Sequence, residues 1–92
     1  MSMNRPISSW QGQRVWLVGA SSGIGAACAQ LLAQQGARVA VSARRADALA
    51  QLGLPDGSLL LPMDALQAAQ WQQSLEQIVA AWGGVDLVLI CH

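Results

Sequence analysis

The sequence predicts an α/β fold, a doubly wound parallel sheet in which strands and helices alternate as β-α-β-α-β-α-β. Four short apolar runs are separated by segments with helical spacing, and a glycine-rich turn follows the first run. Strands that are apolar throughout belong to sheets covered on both faces, which is typical of parallel strands joined by helical crossovers. The 92 residues suffice for one small domain.

The first half of the chain contains two predicted strands, each followed by a helix. The β-prone run at 14–18 stops at Gly19 and predicts the first strand. Apolar residues at intervals of three and four begin at Gly23 and predict a helix. The run at 38–42 predicts the second strand, and 46–52 a short helix. The expected apolar face of the first helix consists of Ile24, Ala27, Cys28, Leu31 and Leu32.

The second half contains a third strand at 58–63, the longest helix and a fourth strand at 85–90. Because proline cannot donate to a strand ladder, Pro62 places the third strand at a sheet edge, as in the strand order 3-2-1-4. Asp86 is interpreted as a solvated turn residue, and a glycine pair at 83–84 ends the long helix. The expected apolar face of that helix consists of Trp71, Leu75, Ile78, Val79 and Trp82.

Composition excludes several classes of function. The chain is 53% hydrophobic and 11% charged, and its formal net charge of zero gives no electrostatic basis for binding nucleic acid or an anionic membrane. No apolar run reaches the roughly 20 residues of a spanning helix, and no secretory signal is recognisable, so we expect a cytoplasmic protein. We expect Cys28 and Cys91 to be buried free thiols, and no metal site.

A glycine-rich turn at 19–25 joins the first strand to the first helix, with the spacing Gly-x-x-x-Gly-x-Gly. Such a turn binds a diphosphate when Gly19 bends the chain, Gly23 lets the backbone approach the phosphates and Gly25 lets the helix pack on the strand. The N–H groups near Gly23 and Ile24, together with the helix dipole, can bind the diphosphate without a lysine. Alternatively, the glycines serve only a tight turn.

Residues 18–25, Val-Gly-Ala-Ser-Ser-Gly-Ile-Gly, closely resemble the cofactor loop of the short-chain dehydrogenase/reductase family. Val18 stands where the commonest family form has Thr. The resemblance covers about the first third of a typical member, and it implies that 1–92 is the incomplete N-terminal portion of an NAD(P)-binding Rossmann domain. The implied cofactor contacts in this loop are Gly19, Ser21, Ser22, Gly23, Ile24 and Gly25.

The segment Ser42-Ala43-Arg44-Arg45 is similar to the end of the family's second strand. NAD-dependent members have an acidic residue there for the ribose hydroxyls, whereas Ala43 followed by two arginines suits the 2′-phosphate of NADP. The resemblance therefore implies NADP rather than NAD, with Ser42, Arg44 and Arg45 as contacts. Alternatively, both arginines form a solvated helix start, and Ser22 replaces a basic residue found in many NADP-preferring relatives.

Asp64 and Ala65 resemble the family's Asp-Val step, whose carboxylate and following N–H contact the adenine ring. Asp64 is also a candidate N-cap of the longest helix, and both roles can apply together. Farther on, Cys91 and His92 stand where the family has two asparagines. We interpret His92 as a loop residue rather than as a catalytic base.

The catalytic chemistry of the family is missing from this sequence. It uses a Tyr whose pKa is lowered by a Lys four residues later, and the chain contains neither residue type. We therefore assign no catalytic residue and expect the chain alone to be inactive. It is either the cofactor-binding portion of a reductase using NADPH on carbonyl or alcohol substrates, or a non-catalytic nucleotide-binding or interaction module from a truncated reading frame. The apolar fourth strand predicts an open edge, hence self-association or dependence on a missing C-terminal part.

Overall fold

A computed structural model describes residues 10–20 and 23–91 of the chain. Within these ranges four parallel strands alternate with three helices in the sheet order β3-β2-β1-β4. This arrangement confirms the predicted fold class and strand order. The elements are β1 Arg14–Val18, α1 Gly23–Gln34, β2 Arg38–Ser42, α2 Ala46–Ala50, β3 Leu59–Leu60, α3 Ala68–Trp82 and β4 Leu87–Ile90.

Alternate residues of β1 point to opposite faces of the sheet and so divide the core into two clusters. Val15 and Leu17 face α1 and α2, whereas Trp16 and Val18 face α3. The α1-side core comprises Val15, Leu17, Ala20, Ala29, Leu32, Val39, Val41, Leu49 and Leu52. The α3-side core comprises Trp16, Val18, Ala40, Leu61, Met63 and Ile78.

The buried face of α1 differs from the predicted one. Gly25, Ala29 and Leu32 are buried, while Ile24 and Leu31 are 82% and 55% exposed. Of the predicted set, Leu32 alone is fully buried; Cys28 is half-buried and Ala27 exposed. The reason is steric: a glycine and an alanine let the helix approach the sheet closely, so the small residues take the inner face and the larger ones turn outward.

The predicted apolar face of α3 is buried only in part. Ile78 is fully buried and Trp71 and Trp82 half-buried, but Leu75 and Val79 are 39% and 48% exposed. The last two line an open groove of about 630 Å³ beside Trp16. Within residues 10–20 and 23–91 no element packs over that side of α3, so these two side chains of the apolar face are only partly covered.

Two strands and one helix are shorter than predicted. β3 has two residues instead of the six at 58–63, although Leu61 and Met63 still donate backbone hydrogen bonds of 2.9 Å to the neighbouring β2 segment. Pro62 between them has no N–H to donate, so the chain follows β2 without forming a regular ladder. β4 begins at 87 rather than 85, and α2 ends at 50 rather than 52.

Asp86 is not merely a solvated turn residue, which corrects that interpretation. Its Oδ2 accepts hydrogen bonds from the backbone N–H and the Nε of Arg14 at 2.8 and 2.9 Å, and its Oδ1 accepts one from Nη2 at 2.9 Å. These bonds to Arg14 lower the pKa of Asp86 to about 2. The pair fastens the start of β4 to the start of β1. Because the folded pKa is depressed, its stabilising effect is present above about pH 4 and is lost as the pH falls toward 2.

Candidate functional site

The loops that follow β1, β2 and β4 lie side by side at the carboxyl edge of the sheet. The N–H of Gly19 donates to the carbonyl of Ser42 at 2.7 Å, and the N–H of Cys91 donates to the carbonyl of Val18 at 2.7 Å. The chain leaves β1 toward β2 on one side, while β4 lies on the other side. Doubly wound sheets bind ligands at such a point, where the strand order reverses.

Each glycine of the loop has a distinct structural surrounding. Gly19 has φ +85°, and a β-carbon there would collide with the carbonyl oxygen of Cys91. A β-carbon on Gly25 would lie 3.0 Å from both the Cα of Ala20 and the Cβ of Cys91. A β-carbon on Gly23, where φ is +63°, would meet nothing within 4 Å. Gly19 and Gly25 thus close the loop against β4, while Gly23 borders open space.

The first turn of α1 is suited to an anion. The helix begins at Gly23 and has no acidic residue in its first turn, so the positive end of its dipole is not neutralised there. The neighbouring Ile24 side chain is 82% exposed, so this end of the helix is accessible. Two other predicted contacts, Ser21 and Ser22, lie outside the described residues.

Ser42 reaches the site through its backbone rather than its side chain. The residue is fully buried, and its Oγ accepts a hydrogen bond of 2.8 Å from the indole Nε1 of Trp16. Its carbonyl oxygen accepts the N–H groups of Gly19 and Ala20 at 2.7 and 3.3 Å. Ser42 therefore holds the glycine loop in position, and its hydroxyl is already used inside the α3-side core.

The two predicted arginine contacts are in different environments. Arg45 is the N-cap of α2, and its Nη2 lies 2.9 Å from Oδ2 of Asp47, an exposed ion pair that lowers the pKa of Asp47. The ion pairs of the described residues join Arg45 to Asp47 and Arg14 to Asp86, so Arg44 belongs to neither. Arg44 is exposed directly beyond β2. A phosphate at this edge would therefore meet Arg44 without displacing a carboxylate.

Asp64 and Ala65 lie beside the end of β2, because the preceding Met63 donates its N–H to the carbonyl of Ala43 at 2.9 Å. The structure thus brings the end of the third strand to the same edge as the glycine loop. Sequence reasoning missed a further contact here, in which the indole Nε1 of Trp71 donates to the carbonyl of Ala65 at 2.8 Å. An isolated tryptophan in a helical pattern gives no signal for such a bond.

Asp64 does not cap α3, which corrects one of its two predicted roles. The N-cap is Gln67, and it makes no side-chain capping bond. Asp64 lies three residues earlier, where its Oδ1 accepts the N–H of Leu66 at 3.0 Å and closes a local turn. Its own N–H donates to Oε1 of Gln70 at 2.6 Å. The carboxylate therefore stays at the carboxyl edge of the sheet instead of joining the helix.

Cys91 is a site residue whose position the sequence did not reveal. Its backbone and Cβ form the surface against which Gly19 and Gly25 pack. Cys28 and Cys91 are free thiols, as expected, but both are half-buried rather than buried. Burial, with a smaller contribution from the charge of Cys28, raises the pKa of Cys91. His92 lies outside the described residues.

Metal-binding groups and membrane-spanning helices are both absent from residues 10–20 and 23–91. Among these residues, no group of three or more His, Cys, Asp or Glu is placed to hold a metal ion. No helix in the same ranges has the length and apolar character needed to cross a membrane.

Residues 13–91 match the family model of the short chain dehydrogenases. The mouse protein "Dehydrogenase/reductase SDR family member 7" is 30% identical over 100 residues, which cover 89% of this chain and 30% of that protein. The chain therefore spans about a third of the length of this relative.

Solved structures agree with this match. A short-chain dehydrogenase/reductase from Mycobacterium marinum is 35% identical with a TM-score of 0.78, over 88% of this chain and 35% of the other. The 3-ketoacyl-(acyl-carrier-protein) reductase from Brucella melitensis, complexed with NADH, is 26% identical with a TM-score of 0.82. That match covers 87% of this chain and 34% of the other. L-sorbose reductase from Gluconobacter frateurii, complexed with NADPH and L-sorbose, is 25% identical with a TM-score of 0.75. That match covers 89% of this chain and 34% of the other. The chain belongs to the short-chain dehydrogenase/reductase family.

Proposed function

We propose that this chain is the cofactor-binding portion of an NADP-dependent oxidoreductase that transfers a hydride between NADPH and a carbonyl or alcohol substrate. The observation that carries the proposal is the glycine loop, in which Gly23 borders open space at the start of α1 while Gly19 and Gly25 pack against Cys91. Similar proteins bind such coenzymes, since the Brucella reductase was solved with NADH and the Gluconobacter reductase with NADPH.

The loop fits the diphosphate of a dinucleotide. The N–H groups of Gly23 and Ile24 belong to the first turn of α1, where backbone donors have no partner within the helix, and Ser21 and Ser22 precede them in the sequence. A side chain at Gly23 would occupy the open space through which the phosphates approach. When bound, the nicotinamide supplies or accepts the hydride. The residues of this chain bind and orient the coenzyme at the sheet edge.

The adenosine half is assigned to the ends of β2 and β3. Arg44 binds the 2′-phosphate, because it follows Ala43, a residue too short and neutral to bind the ribose hydroxyls. Arg45 forms an ion pair with Asp47 and therefore contributes less than Arg44 to binding the 2′-phosphate. One carboxylate oxygen of Asp64 accepts the N–H of Leu66. We therefore assign its other oxygen and the N–H of Ala65 to hydrogen bonds with the adenine. Ser42 supports the loop through its carbonyl.

Turnover by the tyrosine-based chemistry of the family needs side chains that this sequence does not contain. The chain has no Tyr and no Lys, so none of its side chains can perform the tyrosine-based proton transfer of the family. We therefore propose that residues 1–92 bind coenzyme without reducing substrate. We also place the protein in the cytoplasm, a location compatible with its two free thiols.

The exposed apolar surface around β4 supports a second part of the proposal. Val88 and Ile90 are 41% and 59% exposed, and both pair with residues of β1 that face the α3 side. Leu75 and Val79 line an apolar groove on α3 beside Trp16, the β1 residue that pairs with Val88. We propose that other polypeptide covers this surface, either a C-terminal part of the same protein or a second copy. The same surface favours the alternative of a non-catalytic interaction module.

Titration calorimetry with NADPH and NADH tests the coenzyme assignment. A charge-assisted hydrogen bond contributes about 1.5 to 3 kcal/mol, so Arg44→Ala should weaken NADPH binding roughly ten- to a hundredfold and leave NADH unchanged. Arg38→Ala is the matched control, since this exposed arginine lies at the opposite end of β2. An unchanged NADPH-to-NADH ratio in Arg44→Ala would remove the NADP preference. Gly23→Val should abolish binding of both coenzymes, and retained binding would end the dinucleotide proposal.

A further inference from the structure

Two half-buried thiols lie near the glycine loop although they are 63 positions apart in the sequence. Cys91 follows β4, and its N–H donates to the carbonyl of Val18 at 2.7 Å. Cys28 lies in α1, one turn after the start of the helix. Both side chains pack against the α1-side core. The fold thus places two cysteines on one side of the sheet, at the edge that carries the loop.

Gly25 brings the two thiols together. A β-carbon on Gly25 would lie 3.0 Å from the Cβ of Cys91, so Cys91 points under the first turn of α1. Cys28 follows Gly25 by three positions in the same helix, and such positions share a face with β-carbons about 5 to 6 Å apart. Gly25 has no side chain to separate them. The charge of Cys28 also acts on Cys91, where it raises the pKa.

We propose that Cys28 and Cys91 are a modification site, at which a peroxide oxidises the two thiols to an intrachain disulfide joining α1 to the end of β4. Bridged cysteines have β-carbons about 3.8 Å apart, and formation of the bond requires Cys91, which already contacts the Gly25 face of α1, to approach Cys28 to that separation. This inference does not depend on whether the loop binds a dinucleotide.

The oxidation proceeds in two balanced steps. The Cys28 thiolate attacks one peroxide oxygen, the O–O bond breaks, and the leaving hydroxide takes up the thiol proton to form water, which leaves a sulfenic acid. The sulfur of Cys91 then attacks the sulfenic sulfur, the S–O bond breaks, and a second water departs with the Cys91 proton. In total two thiols are oxidised and one hydrogen peroxide is reduced to two water molecules.

The order of the two cysteines follows from their surroundings. Burial raises the pKa of Cys91, which keeps this thiol protonated near neutral pH and makes it the poorer first nucleophile. Cys28 is therefore assigned the attack on peroxide and Cys91 the resolving step. Because the resolving sulfur reacts as a thiolate, disulfide formation should accelerate as the pH rises above neutrality.

Hydrogen peroxide and intact-mass measurement test the proposal on the full 92-residue chain. After oxidation, iodoacetamide labelling and denaturation, the parent should be lighter by two hydrogen atoms, carry no label and yield a peptide that links Cys28 to Cys91. In Cys91→Ser, dimedone should trap a sulfenic acid on Cys28. Cys28→Ser should retain a Cys91 thiol that labels after the same exposure. Two labelled thiols in the oxidised parent, or only chain-to-chain disulfides, would overturn the proposal.

A second measurement asks whether the native fold brings the thiols together. The same oxidation in urea should form the bond more slowly than in buffer, since the unfolded chain must close a long loop. The bond should also raise the Tm of the oxidised chain by roughly 10 °C or more, because it restricts the unfolded state. Equal rates in urea and buffer, or a lowered Tm, would show that the two cysteines do not meet in the native structure.

Discussion

The two faces of the sheet are built from equally apolar sequence but differ in how completely they are covered. On the α1 side, Gly25 and Ala29 let the helix lie close to β1, and Leu89 of β4 is half-buried against that core, although Leu87 is 37% exposed. On the α3 side, Val88 and Ile90 of β4 remain 41% and 59% exposed. An apolar pattern thus predicts which residues can be buried, whereas actual burial depends on an element that reaches them.

The difference has a geometric origin. The first crossover joins neighbouring strands, β1 and β2, so α1 lies directly over them. The crossover from β3 to β4 passes two strands, and α3 lies over the middle of the sheet, where Ile78 meets Trp16 and Ala40. Residues of β4 on this face extend past the helix. The α1 side is thus closed around the glycine loop, and the α3 side is open toward β4.

Gly19→Val should have the largest effect on stability, because it disrupts the packing of the glycine loop against Cys91. Valine at φ +85° is strained, and its side chain would collide with the Cys91 carbonyl. A left-handed residue costs about 1 to 2 kcal/mol and overpacking about 1 to 3, so we expect a loss of roughly 2 to 5 kcal/mol in the free energy of unfolding, measured by urea denaturation. Small domains are stable by roughly 5 to 15 kcal/mol, so this loss is a large part of the total stability.

Gly57→Val is the matched control for that substitution. Gly57 also has a positive φ, of +94°, but a β-carbon there would meet nothing within 4 Å. It should lose only the backbone contribution of about 1 to 2 kcal/mol. Equal losses at the two glycines would mean that the loop is not packed tightly against β4.

Ile78→Ala and Leu75→Ala compare a covered and an uncovered position of the same helix. Ile78 is fully buried between α3 and the sheet, whereas Leu75 is 39% exposed in the groove. Ile78→Ala should lower the free energy of unfolding by about 3 kcal/mol through lost burial and a cavity. Leu75→Ala should lower it by about 1 kcal/mol, since part of its surface is already in water. Similar losses in urea denaturation would indicate that the groove is closed in solution.

The sequence predicted the bounds of the first two strands better than those of the last two. The bounds of β1 and β2 agree with the structure, because each strand is an apolar run that ends at a change in composition. β3 and β4 are shorter than predicted, since Pro62 interrupts one ladder and the Arg14–Asp86 pair fixes the start of the other. The Arg14–Asp86 contact joins positions 72 apart, and only the strand register brings them together.

At the candidate site, spacing predicted backbone geometry but not side-chain partners. The positive φ of Gly19 and Gly23 follows from the glycine pattern. The hydroxyl of Ser42 is bonded to Trp16, and Arg45 to Asp47, which a one-dimensional pattern does not show. Each of these bonds depends on which face a residue occupies and on the nearest polar group there. Cys91 illustrates the same limit, because its contact with Gly25 requires the relative placement of β4 and α1.

Ile90→Lys should have the smallest effect on stability and the most direct effect on self-association through the exposed β4 surface. A surface substitution changes the free energy of unfolding by about 0.5 kcal/mol or less, and Ile90 is 59% exposed. A charge on an edge strand opposes pairing with another strand, so any self-association of the parent should be reduced to monomer in sedimentation velocity experiments. Leu31→Lys, at a residue that is 55% exposed on α1, is the control and should leave the association unchanged. A parent that is already monomeric, or an Ile90→Lys variant that associates as the parent does, would show that self-association does not use the β4 edge. Loss of association in both variants would point to net charge instead of a specific surface.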